Sequence, residues 1–308
     1  MLKELRGRVA VITGAAGGIG RGLAERAVTE GMKVVLADVE EAALKKTEAD
    51  LQAGGGDVLA VLTDVSKVED VQRLADLTLE TYGGVHLLCN NAGVGAGGLV
   101  REHTLADWEW VLGVNLWGVI YGVHFFLPVM LEQGTECHIV NTASVEGLWA
   151  RLRGASYQVS KHGVVVLSEV LKMELAFEET KVGVSVLCPG AVNTGIVDSG
   201  RNRPAHLQNP PDAVPEITPE MEKRIAQVRQ VFAEGMDPLE VADHVFRAVR
   251  EDRFYILTHP ELNDRIQKRF GRILTDGVPL PDYTISNLPD DIWSFLGAPP
   301  SPGGEGDK

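Results

Sequence analysis

The sequence predicts an α/β fold: a doubly wound parallel sheet with helices on both faces. Three observations carry that prediction. Short β-branched and apolar runs alternate with helical apolar patterns from Val9 to Val249. The first run ends in a glycine-rich turn that opens directly into a helix. Later runs end at polar or small residues, namely Asp38, Asn90, Ser144 and Pro189, so these would share the carboxyl edge of one sheet, where open α/β folds bind ligands.

The elements follow in order. Residues 9–13 (VAVIT) form a strand that runs into GAAGGIG and then a helix closing at Gly31. Gly14, Gly18 and Gly20 have the spacing GxxxGxG, in which missing side chains allow a tight turn and let a pyrophosphate reach the backbone amides of the helix N-terminus. Residues 33–38 (KVVLAD) are the second strand, ending in a carboxylate 18 residues after Gly20. An acid there accepts hydrogen bonds from the adenosine ribose and repels a 2′-phosphate, which favours NAD over NADP, and no basic residue lies within 15–18 or at position 39. Asp38 could also cap the helix starting near Glu40.

Helix 40–53, strand 58–63 and helix 67–82 continue the alternation, with Asp64 either a cap or an acceptor for the adenine amino group. Strand 85–90 ends in Asn90-Asn-Ala-Gly93, where small residues leave space over a flat ligand. Residues 105–131 are expected to form one long helix, bent near Gly118 and Gly122 and broken around Pro128. It is apolar nearly all round, so part of its surface should meet another subunit, and the polar Asn115 inside it needs a partner, either a neighbouring carbonyl or an ordered water leading toward Lys161.

The stretch 144–161 (SVEGLWARLRGASYQVSK) carries the chemistry. Tyr157 and Lys161 are four apart at the start of a helical pattern, so both side chains share one face. A neighbouring ammonium would favour the phenolate and make the tyrosine a usable acid or base. Ser144 would stand at the end of the preceding strand, 137–142. Strand 182–187 then leads into Cys188-Pro-Gly-Ala-Val-Asn-Thr194, and the proline-crowded segment 195–219 suits a mobile lid or a disordered surface insertion. Helices 220–232 and 239–249, strand 253–257 and helix 260–273 follow, and residues 297–308 should be disordered. The whole reads as one domain over 1–275, with the lid at about 195–235, and a C-terminal extension over 276–308.

Composition narrows the function. A net charge of −14 without a dense Lys/Arg cluster argues against nucleic acid as a partner. Cys89, Cys137 and Cys188 each lie in a strand-like apolar run, so neither disulfides nor a metal site is expected. The N-terminus lacks an export signal and the long apolar stretch is interrupted, so a cytoplasmic, soluble protein with no membrane span is expected.

Thr13-Gly14-x-x-x-Gly18-x-Gly20, Asn90-Asn-Ala-Gly93, Asn115, Ser144, Tyr157-x-x-x-Lys161 and Pro189-Gly190, in this order and spacing, resemble the short-chain dehydrogenase/reductase family over roughly residues 5–258. The resemblance implies a Rossmann-type sheet of about seven parallel strands and a catalytic tetrad of Asn115, Ser144, Tyr157 and Lys161. It implies NAD held by Gly14, Gly18, Ile19, Gly20, Asp38, Asp64, Val65, Asn91, Ala92, Gly93, Tyr157, Lys161, Pro189, Gly190, Val192 and Thr194. It also implies a homodimer or homotetramer paired through the long helix and the Tyr157 helix.

The expected chemistry is hydride exchange between NAD and a small-molecule secondary alcohol or ketone. The rivals are an NADP-linked ketoreductase, including 3-oxoacyl reduction, and a non-catalytic NAD-binding regulator. Substrate contacts are expected from Val94, Glu146, Trp149, Ala191 and Ile196. Largely apolar with one carboxylate, they suit a bulky hydrophobic or aromatic alcohol and not a phosphorylated one.

Overall fold

The computed structural model describes residues 2–210, 218–275 and 277. Segment 211–217 of the expected lid and all but residue 277 of the expected C-terminal extension lie outside the described residues.

Seven parallel strands form one sheet in the order β3-β2-β1-β4-β5-β6-β7. They are β1 (Val9–Thr13), β2 (Lys33–Asp38), β3 (Asp57–Leu62), β4 (Leu87–Asn90), β5 (Cys137–Thr142), β6 (Val182–Cys188) and β7 (Tyr255–Leu257). The inner strands β1, β4, β5 and β6 are buried along their whole length, as their continuous apolar runs require of a sheet covered on both faces. The free thiols Cys89, Cys137 and Cys188 sit in that core. Burial pushes the Cys89 and Cys188 thiols up to about 12, which makes them unreactive.

Helices α1 (Gly18–Thr29), α2 (Glu41–Ala53) and α8 (Pro238–Glu251) cover one face, where Leu23, Ala27, Leu44, Val241 and Phe246 meet Ala10, Ile12, Val34 and Leu36. Helices α3 (Val68–Tyr82), α5 (Gly118–Gln133) and α6 (Ala155–Phe177) cover the other, where Leu74, Phe126, Met130 and Leu171 meet Val9, Val11, Val35 and Ile139. The alternate residues of β1 therefore feed two separate cores. After β3 the chain crosses to the far side of β1, so the crevice at the carboxyl ends of β1 and β4 is the switch point where such sheets bind ligands.

The long apolar helix departs from expectation. It divides into α4 (Leu105–Leu112), a π-helical turn Gly113–Trp117, and α5, which continues through Pro128 to Gln133. Gly118 and Gly122 lie within the continuous helix α5. A Cβ on Gly122 would fall 2.0 Å from Asn90 Oδ1 and one on Gly118 2.9 Å from Val65, so these glycines let the helix lie directly on the strand ends. The irregularity instead centres on Asn115, in keeping with the tendency of π-turns to occur at functional positions.

Past β6 the chain forms 3-10 turns at Gly195–Asn202 and Ala205–Leu207, then α7 (Pro219–Ala233) and, after β7, α9 (Asn263–Leu274).

Candidate active site

A cleft of about 2650 Å³ runs along the carboxyl edge of the sheet. Common small-molecule pockets hold about 300–1,000 Å³, so it has room for a dinucleotide and a second ligand together.

The dinucleotide end is made largely of backbone. Gly14 and Gly18 have positive φ of 67° and 50°, and a Cβ on Gly20 would fall 2.0 Å from the Gly14 carbonyl oxygen. The fold itself therefore demands these glycines. Helix α1 begins at Gly18 with no side chain capping it, so its first N–H groups face the cleft as an anion cradle. That cradle fits a pyrophosphate. Gly20 serves the turn from behind and does not line the cleft, whereas Gly14, Gly18 and Ile19 do.

Asp38 accepts hydrogen bonds from the Ala16 and Glu40 amides, both at 2.9 Å, and its carboxylate lines the cleft. It thus ties the glycine turn to the end of β2, and it does not cap α2, whose N-cap is Glu40. Asp64 accepts from the amide and hydroxyl of Ser66, at 3.1 and 2.6 Å, which organises the turn before α3. Val65, Asn91, Ala92 and Gly93 line the cleft beside it. Thr13 positions this wall: its hydroxyl accepts from the amides of Asn91 and Ala92, and its carbonyl accepts from the Asn91 side chain.

Ser144, Tyr157 and Lys161 meet where β5 ends and α6 begins. Ser144 is buried, and its hydroxyl accepts from the Glu146 amide at 3.1 Å and donates to the Pro189 carbonyl at 3.5 Å. The Lys161 ammonium donates to the Thr142 carbonyl at 2.9 Å and lies 5.6 Å from the centre of the Tyr157 ring. Its titration differs from the sequence-based expectation. Burial pushes the Tyr157 phenol up, the negative charge of Glu146 adds to this, and the bond from Ser144 opposes it. Burial also brings Lys161 itself down to about 8. In the free chain, desolvation outweighs ion-pair effects because both groups leave water together.

Asn115 is fully buried and does not line the cleft. Its Oδ1 accepts from the Val94 amide at 2.8 Å, while its Nδ2 donates to the Val94 carbonyl at 2.9 Å and to Ser160 Oγ at 3.1 Å. The bond to a neighbouring carbonyl, one of the two roles weighed from sequence, is thus made to Val94. The amide clamps the loop after β4 over the site.

The turn after β6 places Pro189, Gly190, Ala191, Val192 and Thr194 in the cleft wall. His259, not anticipated from sequence, holds it: Nδ1 accepts from the Gly190 amide and Nε2 donates to the Ala191 carbonyl, both at 3.1 Å. No local signal marks this residue, because its partners lie about seventy positions earlier.

The other end is built from side chains. The residues expected to contact substrate, Val94, Glu146, Trp149, Ala191 and Ile196, all line the cleft. Segment 195–209 crosses it as a strap held at several points. Arg201 and Asn202 donate to Glu40 at 2.6 and 2.7 Å, Ser199 Oγ accepts from the Gly95 amide at 3.0 Å, and Arg203 donates to Asp107 at 2.6 Å. Among the described residues 195–209, this is an ordered arrangement and not a loose insertion. The strap also brings Arg201 onto Glu40, two positions after Asp38, a cation that scanning 15–18 and 39 could not find. Helices α7 and α9 complete the wall with Ile225, Val228 and Phe232 on one side and Arg265, Lys268, Arg269 and Arg272 on the other. The expectation of an apolar wall with a single carboxylate is therefore incomplete.

Residues 8–204 match the family model for short chain dehydrogenases. The chain belongs to the short-chain dehydrogenase/reductase family. It is 37% identical over 279 residues to a CLA biosynthesis dehydrogenase/reductase of Lactiplantibacillus plantarum, covering 90% of this chain and 97% of the relative. It is 33% identical over 299 residues to the 1-deoxy-11-beta-hydroxypentalenate dehydrogenase of Streptomyces exfoliatus, covering 96% and 92%. Among solved structures it resembles a short-chain dehydrogenase/reductase from Burkholderia phymatum in complex with NAD, with a TM-score of 0.87 and 45% identity over 92% of this chain and 99% of that one. As a member of this family the chain is an oxidoreductase acting on CH–OH groups, with dehydrogenase and reductase relatives.

Proposed function

We propose that this protein exchanges hydride between NAD and a bulky, largely apolar secondary alcohol or its ketone. The observation that carries the reading is the meeting of Ser144, Tyr157 and Lys161 beside the uncapped α1 cradle. NAD, when bound, accepts or supplies the hydride at the substrate carbon. Gly14, Gly18 and Ile19 would hold the pyrophosphate and Asp38 the adenosine ribose. Thr194 and the backbone near Val192 would hold the carboxamide.

The residues divide the remaining work. Ser144 orients the substrate oxygen. The Tyr157 phenol, kept neutral by burial, donates its proton to a ketone oxygen in reduction and must give that proton up before accepting one in oxidation. The charged form of Lys161 holds the nicotinamide ribose and supports the phenolate. Asn115 fixes the loop that closes over the tetrad, and a water relay past it toward Lys161 completes the proton path. The strap excludes water from the reacting centre.

The preference for NAD rests on Asp38 and on the NAD-bound relative from Burkholderia phymatum. Exposed apolar residues on the π-turn, α5 and α6, among them Trp117, Leu131, Val166, Met173 and Phe177, support a homodimer or homotetramer paired through these helices. The acidic chain with three free buried thiols suits the cytoplasm. An absorbance screen at the nicotinamide band, with NAD and NADP against a varied panel of alcohols and ketones, tests the proposal. NAD-dependent turnover of apolar secondary alcohols is expected. Tight NAD binding without turnover of any panel member would leave the regulator reading.

A further inference from the structure

Helix α9 has an ordered charge pattern that the proposed chemistry does not use. Arg265, Lys268, Arg269 and Arg272 have the spacing i, i+3, i+4, i+7, which is one helical stripe, and all four line the cleft. The two acids of the same stretch, Glu261 and Asp264, do not line it. Ile266, beside the stripe, packs on the cluster containing Leu148, which fixes the helix's rotation and turns the cations inward. Asp264 pairs with Lys268 at 2.7 Å. Arg265 stacks 5.5 Å from the centre of the Trp149 ring, and Arg269 donates to the Leu148 carbonyl at 3.4 Å. A ring and a carbonyl hold these two guanidinium groups in place without neutralising them.

The position is informative. Trp149 lies five residues after Ser144 and links the reacting centre to Arg265. Ile225, Val228 and Phe232 of α7 add apolar surface to the same cleft. In a chain of net charge −14, two guanidinium groups one helical turn apart at the cleft wall supply donors that match a carboxylate.

We propose that the substrate is an apolar hydroxy acid or oxo acid, with its alcohol or ketone carbon at Tyr157 and its carboxylate on Arg265 and Arg269. This rests on the hydride-transfer reading of the same site and adds the substrate's charge to it. The Streptomyces exfoliatus relative is named for a substrate that is a hydroxylated carboxylate, which agrees in kind.

The test is equilibrium binding to the protein–NAD complex, where a ketone binds without reacting. Calorimetry compares 5-oxohexanoate, 9-oxodecanoate and 13-oxotetradecanoate with their methyl esters. At the best length the acid should bind about ten- to a hundredfold more tightly than its ester. In Arg265→Gln/Arg269→Gln the ratio should fall toward one, with NAD affinity unchanged as the check on folding. Should the double variant not fold, Arg269→Gln alone should still reduce the ratio several-fold. Equal binding of acid and ester at every length would overturn the proposal, as would an acid preference that survives both substitutions. NADH oxidation by the same oxo acids is measured separately. Charge-selective binding without turnover would sink the hydride-transfer reading and leave the carboxylate site standing.

Discussion

The two ends of the cleft are built differently. At the cofactor end, groups from β1, β2 and β4 act mainly through backbone: the uncapped N–H groups of α1, a positive φ at Gly14, and amides fixed by Thr13 and Asp38. At the substrate end, the strap, α7 and α9 act through side chains that meet partners distant in sequence, as Arg203 meets Asp107 and Arg201 meets Glu40. Backbone geometry needs particular residue types at short spacing and tolerates little variation. Side-chain walls can be rebuilt without disturbing the sheet, so the same cofactor end can serve many substrates.

The largest effect is expected at the boundary between the two ends. Tyr157→Phe should lower turnover by about a hundred- to ten-thousandfold while NAD affinity stays within a few-fold, because only the proton carrier is lost. A near-normal rate in a single-turnover assay would remove Tyr157 from the mechanism.

Asp38→Ala acts on the cofactor end alone. Losing a charge-assisted bond should weaken NAD about ten- to a hundredfold and narrow the preference over NADP, with the substrate KM at saturating cofactor little changed. A wild type that already prefers NADP would refute the role given to Asp38.

Arg203→Ala acts on the substrate end alone. Its side chain and that of Asp107 are only 10% and 9% exposed, so removing the guanidinium leaves a buried carboxylate with Thr104 and Asn209 as neutral donors. A loss of about 2 kcal/mol, that of a hydrogen bond to a charged group, and a several-fold rise in substrate KM are expected, with NAD affinity unchanged. Burial opposes the Asp107 charge, but bonds from the Thr104 amide, Arg203 and Asn209 prevail and hold its carboxyl below the usual range. The pair's contribution is therefore full above the ordinary carboxylate value and lost as pH falls through the lowered one. Thermal melts of variant and wild type should converge in acid. A constant gap down to low pH would mean that the ion pair does not anchor the strap.

The smallest effect separates the ends by pH. Lys161 titrates near 8 in the free chain, so the part of NAD affinity that rests on its ammonium is full below that pH and fades as pH rises through it. A few-fold weakening between pH 7 and 9 in the wild type, absent in Lys161→Met, is the expected result of a binding titration. Equal pH dependence in both would remove the ribose role.

Most of the sheet was legible, because the inner strands are short, largely apolar runs and the helices between them, apart from α5, carry apolar residues at helical spacing. Asp38, the Asn90–Gly93 turn and the 189–194 turn could be placed for the same reason: a strand end gives their position along the chain and in space together. The division of the long helix was not legible, since a π-turn at Gly113–Trp117 changes hydrogen-bond register without changing composition.

Spacing alone marked the glycine turn and put Tyr157 and Lys161 on one helix face, because helix and strand periodicity fix geometry over a few residues, whereas the set of Asn115, Ser144, Tyr157 and Lys161 was read from its resemblance to the family's motifs. Only the tertiary structure decided what surrounds them. His259 reaches the 189–191 turn from 68 positions away. Arg203 and Asp107 approach across 96 residues. The cations of α9 face the cleft only because Ile266 packs against the core. The titration of Tyr157 belongs here too: the sequence supplied its lysine neighbour, but burial of both side chains, a property of the packed fold, decided which way the phenol shifted.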